Sequence, residues 1–423
     1  MGRTKGFVKI HLIPIFISLA ITLLAFIVFP LASFVLTNKT VPVVPDHTVQ
    51  IRGYYSNFRS YGSAEYAFRD ALEDSCTVVF LGSSELASKE LEAIPFNFFN
   101  QYLNYPVLCI GHAGNQSLNM LSFLAANRPY FWKTKLVILI SPTWFMSTPA
   151  RGTSLESFLE FNSDRFLAAL DNDPYVPAST REYIYHYMAL NIDNINSPSS
   201  IQKLIAYKYA ASKNRLTSIA IAPFIFYYKN LINIDSWIRK SINRENIDTL
   251  KDKFAMMRAG FRPTMPAAIP WDSLYNSGLE AGRKLAGNNN WGIDSNYYNN
   301  YVHGGKFSLL TVPFRYNREY RDYCTLLDFL SGLDCKPLMI IQPLNPYAYE
   351  GLADFKPLMD QVAKVAEDHH FACLNLFVKD TAQYTKGDLK DIMHLGNPGW
   401  YKVDRFVIDN YFPFQTRKPF INQ

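Results

Sequence analysis

The chain has little of what marks a disulfide-built, metal-binding or nucleic-acid-binding protein. Its five cysteines (Cys76, Cys109, Cys324, Cys335 and Cys373) are an odd number with no CxxC spacing. That argues against a disulfide framework, and several sit in or beside apolar runs, so they read as buried free thiols. No HExxH string and no Cys/His cluster occurs, and His369-His370 lies in a charged, solvated stretch, so no metal or other cofactor is expected. Lysine and arginine form no stripe interleaved with aromatics, which removes nucleic acid from the expected partners. Arg3, Lys5 and Lys9 supply three of the 42 basic residues, and the remainder nearly balance the 36 acidic ones. No internal repeat is visible.

Charge is also absent from His11 to Asn38, and Leu12 to Leu36 is almost wholly apolar. About twenty helical residues cross a bilayer core, so this run is long enough to span with some tilt. Pro14 and Pro30 fall near its ends, where a helix tolerates them. A cleaved signal peptide is the alternative. The run is about twice a signal h-region in length, however, and no A-x-A site follows. With Arg3, Lys5 and Lys9 ahead of it, the N-terminus is expected to stay cytoplasmic and the rest to face outward, as a single-pass protein of the cell membrane. The lipid bilayer is thus the first expected partner.

What is present is 423 residues, enough for a large core, with 27 Tyr and 31 Phe. Five short apolar runs have the pattern of buried parallel strands: Thr77–Leu81, Val107–Gly111, Leu136–Ser141, Leu338–Gln342 and Ala372–Leu376. Helix-compatible segments, Glu85–Leu91 and Ser117–Ala126, separate the first three. The alternation predicts a doubly wound α/β sheet with helices on both faces and ligands at the carboxyl ends of the strands. Between about Phe145 and Tyr323 it stops, in a helix- and loop-like insertion that includes a helix-compatible Ile201–Ala211. Ser218 to Tyr228 is the most apolar part of the insertion. It is too short to span a membrane and reads as a buried helix or packing surface, or as a contact with the bilayer or a membrane partner. The expected division is 1–9 basic cytoplasmic end, 10–37 transmembrane helix, 38–75 linker and N-terminal extension, 76–145 first part of the core, 146–323 insertion and 324–423 second part of the core.

Two strings carry the chemistry. Gly82-Ser83-Ser84 ends the first strand run, where a helix N-terminus behind it favours developing negative charge. Either serine could be a nucleophile, the other being a cap or turn residue. Far downstream, Asp391-Ile392-Met393-His394 places a carboxylate where it can fix an imidazole tautomer and leave Nε2 free as a base. Together they supply a nucleophile, a base and an orienting acid for acyl transfer. Glu85 has two readings, an acid in a helix first turn or a partner for a substrate ammonium.

The layout resembles the SGNH (GDSL-type) hydrolase pattern, a flavodoxin-like sheet with a Gly-x-Ser turn, a glycine after the second strand, a residue after the third and a C-terminal Asp-x-x-His. The resemblance makes Ser84 the nucleophile, with Asp391 and His394 completing the catalytic set. It implies an oxyanion hole from the N–H groups of Ser84 and Gly114, with Thr143 in the place usually held by an asparagine. Leu81-Gly82-Ser83-Ser84-Glu85-Leu86, the Gly111–Ser117 loop, Ser141-Pro142-x-Trp144-Phe145 and His394-Leu395-Gly396 followed by Gly399-Trp400 further resemble the DltD family. That resemblance implies a D-alanyl transfer protein of teichoic acid D-alanylation, a serine acyltransferase or esterase at the outer membrane face. Its implied partners are a membrane-bound O-acyltransferase, a D-alanyl carrier protein and a teichoic acid acceptor. Asn115, Trp144 and Glu85 are the substrate-binding candidates. Acetyl transfer or removal on another envelope polysaccharide, and a non-catalytic scaffold for the acyltransferase and carrier, are the alternative readings.

Overall fold

The computed structural model describes residues 77–88, 90–131, 134–147, 151–235 and 269–412, with 53–55 and isolated positions 17, 18, 24, 69 and 72. The expected anchor over 10–37 lies almost wholly outside the described residues. Among the described residues no helix is long and apolar enough to cross a membrane.

The strands are β1 (Gly53–Tyr55), β2 (Val78–Gly82), β3 (Val107–Gly111), β4 (Lys135–Ile140), β5 (Phe307–Ser308), β6 (Leu338–Ile341), β7 (Tyr349–Glu350) and β8 (Cys373–Asn375). Six form one parallel sheet in the order β1-β3-β2-β4-β6-β8, while β5 and β7 pair separately. From β2 onward this is the doubly wound order in which the chain first runs to one side and then crosses to the other. The resulting crevice lies at the carboxyl ends of β2 and its neighbours. All five predicted strand runs are present, shifted by a residue or so at their ends. The short edge strand β1 is a feature of the 38–75 segment that its sequence did not announce.

Side chains alternate across the sheet because a strand has a period of two. Val79, Leu81, Leu108, Ile110, Ile138 and Ile341 enter one core layer. Val78, Phe80, Val107, Cys109, Leu139 and Ile340 enter the other. Helices α1 (Pro95–Leu103) and α11 (Asn397–Tyr411) cover the second layer, each with proline in its first turn, where the missing N–H costs nothing. Helices α2 (Ser117–Ala126), α9 (Arg318–Ser331) and α10 (Leu352–Asp368) cover the first. The predicted helix over Glu85–Leu91 is instead one 3-10 turn, Ser84–Ala87, and α1 starts only at Pro95. Glu85 folds its carboxylate back onto Ser83, which favours a turn over a continuing helix.

The insertion is largely helical: α3 (Leu155–Phe161), α4 (Asp164–Asn172), α5 (Ala178–Asn191), α6 (Ser200–Lys213), α7 (215–235) and α8 (Trp271–Ala286). Ser154, Ser163 and Ser199 accept from backbone N–H groups at the starts of α3, α4 and α6, with Gln202 completing a capping box at the last. Helix α7 contains Ser218 to Tyr228. It rests Ile225, Tyr228 and Ile232 against the core and leaves Leu216, Ile219, Phe224 and Phe226 exposed, so it is only half the buried helix expected. Of the cysteines, Cys109 and Cys335 are free and buried, and Cys324 and Cys373 are free and half-buried.

The ends of β2 and β3 meet at Gly82 and Gly111, and a β-carbon on Gly111 would collide with the Ser83 carbonyl oxygen. Gly111→Ala should therefore cost about 1–3 kcal/mol of stability through overpacking against backbone. Urea denaturation checks this, and an unchanged midpoint would show that the turn has room to spare.

Candidate active site

The carboxyl ends of β2, β3, β4 and β6 enclose a cavity of about 220 Å³. Ser84 stands on the 3-10 turn after β2, and its Oγ is 2.8 Å from His394 Nε2. His394 Nδ1 is 2.7 Å from Asp391 Oδ2. The other carboxylate oxygen, Oδ1, accepts from the backbone N–H of Met393 (2.9 Å) and of His394 (2.8 Å). The three groups thus form one continuous line from hydroxyl to imidazole to carboxylate.

Each member is held locally. Asp391 and His394 sit at the tip of a hairpin closed by Lys390 N–H to the His394 carbonyl and Gly396 N–H to the Asp388 carbonyl. The N–H of Asn345, three residues after Gln342, donates to the Ile392 carbonyl, so the end of β6 braces the same tip. Glu85, behind Ser84, accepts from the Ser83 N–H at 2.6 Å and from its hydroxyl at 3.1 Å. Its carboxylate lies over Gly82, in space that a β-carbon would occupy. Ser83 is therefore engaged with Glu85, and Ser84 is the serine on the imidazole.

Electrostatics favour an imidazolium at this position. Burial alone would lower the pKa of His394. The Asp391 hydrogen bond and charge, with a further contribution from Glu85, outweigh it and hold the pKa above the usual value. Burial would raise Asp391, but its bonds to His394 and to the two N–H groups win and hold it down. Burial dominates at Glu85 and raises its pKa, despite the Ser83 hydrogen bonds and the nearby His394.

Gly114, Thr143 and Trp144 line the cavity with Ser84 and His394. Gly114 takes φ of +84°, a conformation that suits glycine, and its carbonyl accepts from Ser157 Oγ at 2.8 Å. The Thr143 hydroxyl is 2.8 Å from that of Ser141. Asn115 is buried beside the cavity: its amide donates to the Gly82 carbonyl at 2.7 Å. Sequence reasoning missed what lies behind it. Asn119 Nδ2 donates to Asn115 Oδ1 (2.7 Å), and Asn162 Nδ2 donates to Asn119 Oδ1 (2.6 Å). This amide relay runs from α3 of the insertion to the turn carrying Ser84. Its one sequence signal is an asparagine inside a helix, α2, whose every residue is buried. Gln116, Gln342 and Met393 also line the cavity and were not foreseen.

The comparisons with known proteins agree with one another. The family profile described as DltD protein matches residues 59–412, most of the chain. The chain belongs to the DltD family. It is similar to Protein DltD of Bacillus subtilis (strain 168), 23% identical over 398 residues, covering 92% of this chain and 96% of that protein. It is also similar to Protein DltD of Staphylococcus aureus (strain NCTC 8325 / PS 47), 21% identical over 338 residues, covering 77% of this chain and 78% of that one. At such identities the role of each side chain in this DltD family member has to be argued from its own geometry.

Replacing Asn119 by Leu would leave the buried Asn115 Oδ1 without its Asn119 donor and Asn162 Nδ2 without its Asn119 acceptor. A loss of about 1–3 kcal/mol is expected from those unmade bonds. Chemical denaturation checks it, and full stability in the variant would mean the relay is not closed as described.

Proposed function

We propose that the protein is a membrane-anchored, extracytoplasmic serine acyltransferase or esterase of teichoic acid D-alanylation. The observation that carries the reading is the Ser84–His394–Asp391 hydrogen-bonded line, opening on a cavity, in a chain of the DltD family. In this mechanism His394 Nε2 takes the proton of Ser84 as Oγ attacks the carbonyl carbon of a D-alanyl ester or thioester. Asp391 stabilises the imidazolium, and the N–H groups of Ser84 and Gly114, with the Thr143 hydroxyl, receive the oxyanion. Collapse of the intermediate breaks the bond to the leaving group, which takes the proton back from His394 and leaves a D-alanyl ester on Ser84. A teichoic acid hydroxyl, deprotonated by His394, then attacks that ester and releases Ser84.

Several features support the acyl group and the setting. Glu85 is the acid among the described lining residues, where Lys and Arg do not occur, a balance suited to the ammonium of D-alanine. Trp144 supplies an aromatic wall on which a cation also rests favourably. The uncharged run over 11–38, with Arg3, Lys5 and Lys9 before it, supports an anchor that keeps the site outside. The membrane-bound O-acyltransferase and the D-alanyl carrier remain the partners this reading calls for.

The decisive test is D-alanine ester content of the envelope in a deletion strain carrying wild type or Ser84→Ala. Rescue by wild type alone is expected, with ester turnover by the purified variant down about a thousandfold or more. Equal rescue by both would make the protein a scaffold.

The pH dependence has a defined sign. The base must be unprotonated, so activity falls as pH drops through the His394 pKa, which lies above the ordinary 6.5. In Asp391→Asn the charge that raises it is gone. The residual activity should keep its acid limb at a lower pH, and a pH–rate profile with an unmoved limb would argue against His394 as the base.

A further inference from the structure

Helix α7 has two faces of different fate. It starts where the Asn214 side chain accepts from the Thr217 N–H at 2.8 Å. Successive residues turn by about 100°. Ile225, Tyr228 and Ile232, spaced i, i+3, i+7, rest on the first core layer. Phe224 and Tyr228 stack on Tyr207 of α6, with ring centroids 5.5 and 5.8 Å away, and Lys203 Nζ lies 5.8 Å from the Tyr228 ring centre. These contacts seat the helix on one side. The opposite side carries Leu216, Ile219, Ala220, Pro223 and Phe226, spaced i, i+3, i+4, i+7, i+10, and all are exposed. Leu216 is 82% exposed, Ile219 64% and Phe226 72%.

A helix on a globular surface ordinarily turns polar residues outward. In α7 the outward stripe is apolar instead, and a contiguous exposed apolar surface marks a place where the protein meets something else. The charges beside the stripe indicate what. From 214 to 234 the chain has no Asp or Glu. Lys213, just ahead of the helix, is paired with Glu182 at 3.3 Å. Arg215 and Lys229 flank the stripe, exposed and without an ion pair among the described residues. Arg215 stands in the first turn, where the helix dipole disfavours a cation, so helix stability does not account for it. A second copy of this face would bring only like charges together. A bilayer with anionic headgroups answers both features, because its acyl boundary takes the stripe and its headgroups take the cations on their long stems.

We propose that α7 lies on the bilayer as an interfacial helix, with Leu216, Ile219 and Phe226 in the acyl boundary and Arg215 and Lys229 at anionic headgroups. This attachment is separate from the anchor expected over 10–37. It takes from the functional reading only that the protein stands at a membrane, and nothing of the acyl-transfer chemistry. A single tether leaves a domain free to tilt, whereas a second contact fixes which side faces the lipid. The insertion thereby orients the site as well as bracing its serine turn.

The test uses the full chain reconstituted in vesicles of phosphatidylglycerol and phosphatidylcholine. An NBD fluorophore is placed on Leu216→Cys, Ile219→Cys or Phe226→Cys, and the unsubstituted chain, labelled in parallel, gives the background of its own cysteines. Nitroxide on the lipid acyl chains should quench all three labels, and iodide on both sides of the vesicles should not. Adding Arg215→Glu and Lys229→Glu should weaken the lipid quenching at least about threefold. Labels open to iodide and untouched by the lipid nitroxide would show the stripe in water and overturn the proposal. Labels shielded from both quenchers would show a second copy covering the stripe and overturn it as well. Lipid quenching unchanged by the two glutamates would overturn the headgroup assignment. Carbonate extraction of the same vesicles separates this attachment from the anchor. Release of a chain whose labels had been lipid-quenched would reject the anchor and leave α7 at the bilayer, while a retained chain with iodide-open labels would keep the anchor and reject α7.

Discussion

The close approach of β2 and β3 at Gly82 and Gly111 is the constraint on which the site depends. Because neither residue has a side chain, the Ser83 carbonyl can lie against Gly111 and the Glu85 carboxylate can lie over Gly82. The chain can then leave the sheet in a single tight turn, with Ser84 at its start and on the rim of the crevice. A backbone carbonyl that leaves a ladder needs another donor. Asn115 provides it for Gly82, and Asn119 and Asn162 in turn hold Asn115. The position of the serine therefore depends on residues as far away as the end of α3. The insertion is a structural member of the site.

The second half of the site is built on the same plan from different parts. A tight hairpin presents Asp391 and His394. The insertion grips it from outside through the Asp294 N–H on the Lys390 carbonyl, and the end of β6 grips it through Asn345. Elsewhere Asn317 donates to the Phe145 carbonyl and Glu319 accepts from the Ser117 N–H at the start of α2, so α9 ties together the loops after β3 and β4. The outcome is electrostatic as much as geometric. His394 lies between a carboxylate held ionised by its hydrogen bonds and a second acid beneath the serine turn. The positive charge it acquires on taking a proton is therefore stabilised before any substrate arrives.

How much of this could be read in the sequence follows from which signals are local. The strands of the central sheet are continuous apolar runs because both faces are buried, so five of them were legible. The edge strand β1 is three residues, Gly-Tyr-Tyr, with no run to see. Ser84, Asp391 and His394 were legible as residue types at meaningful spacings. Their meeting required a sheet order that brings positions 310 residues apart to 2.8 Å. The helix expected after Ser84 became a 3-10 turn because a local side-chain hydrogen bond, Glu85 back to Ser83, is invisible to periodicity and decided the backbone there. The asparagine relay and Gln342 were missed for a related reason. Pattern reading treats a polar residue as a surface residue, and these acquire partners, or lack one, only through packing across elements.

Buried polar groups in this fold differ in how their cost is relieved, and that difference bears on Gln342. In the relay, each amide contributes bonds to the next. The acids of the first layer and of α11 have another route. Asp404, buried beside Cys109 with neither carboxylate oxygen bonded among the described residues, has its pKa pushed well above the usual range by burial, and Asp322 is pushed up to about 6. A carboxyl group can give up its charge by taking a proton, and much of the desolvation penalty goes with it. A carboxamide has no such route, because it is already neutral and its N–H dipoles persist at every pH. The Gln342 Nε2 donor, without a partner among the described residues, therefore carries its penalty at every pH, unlike the acids.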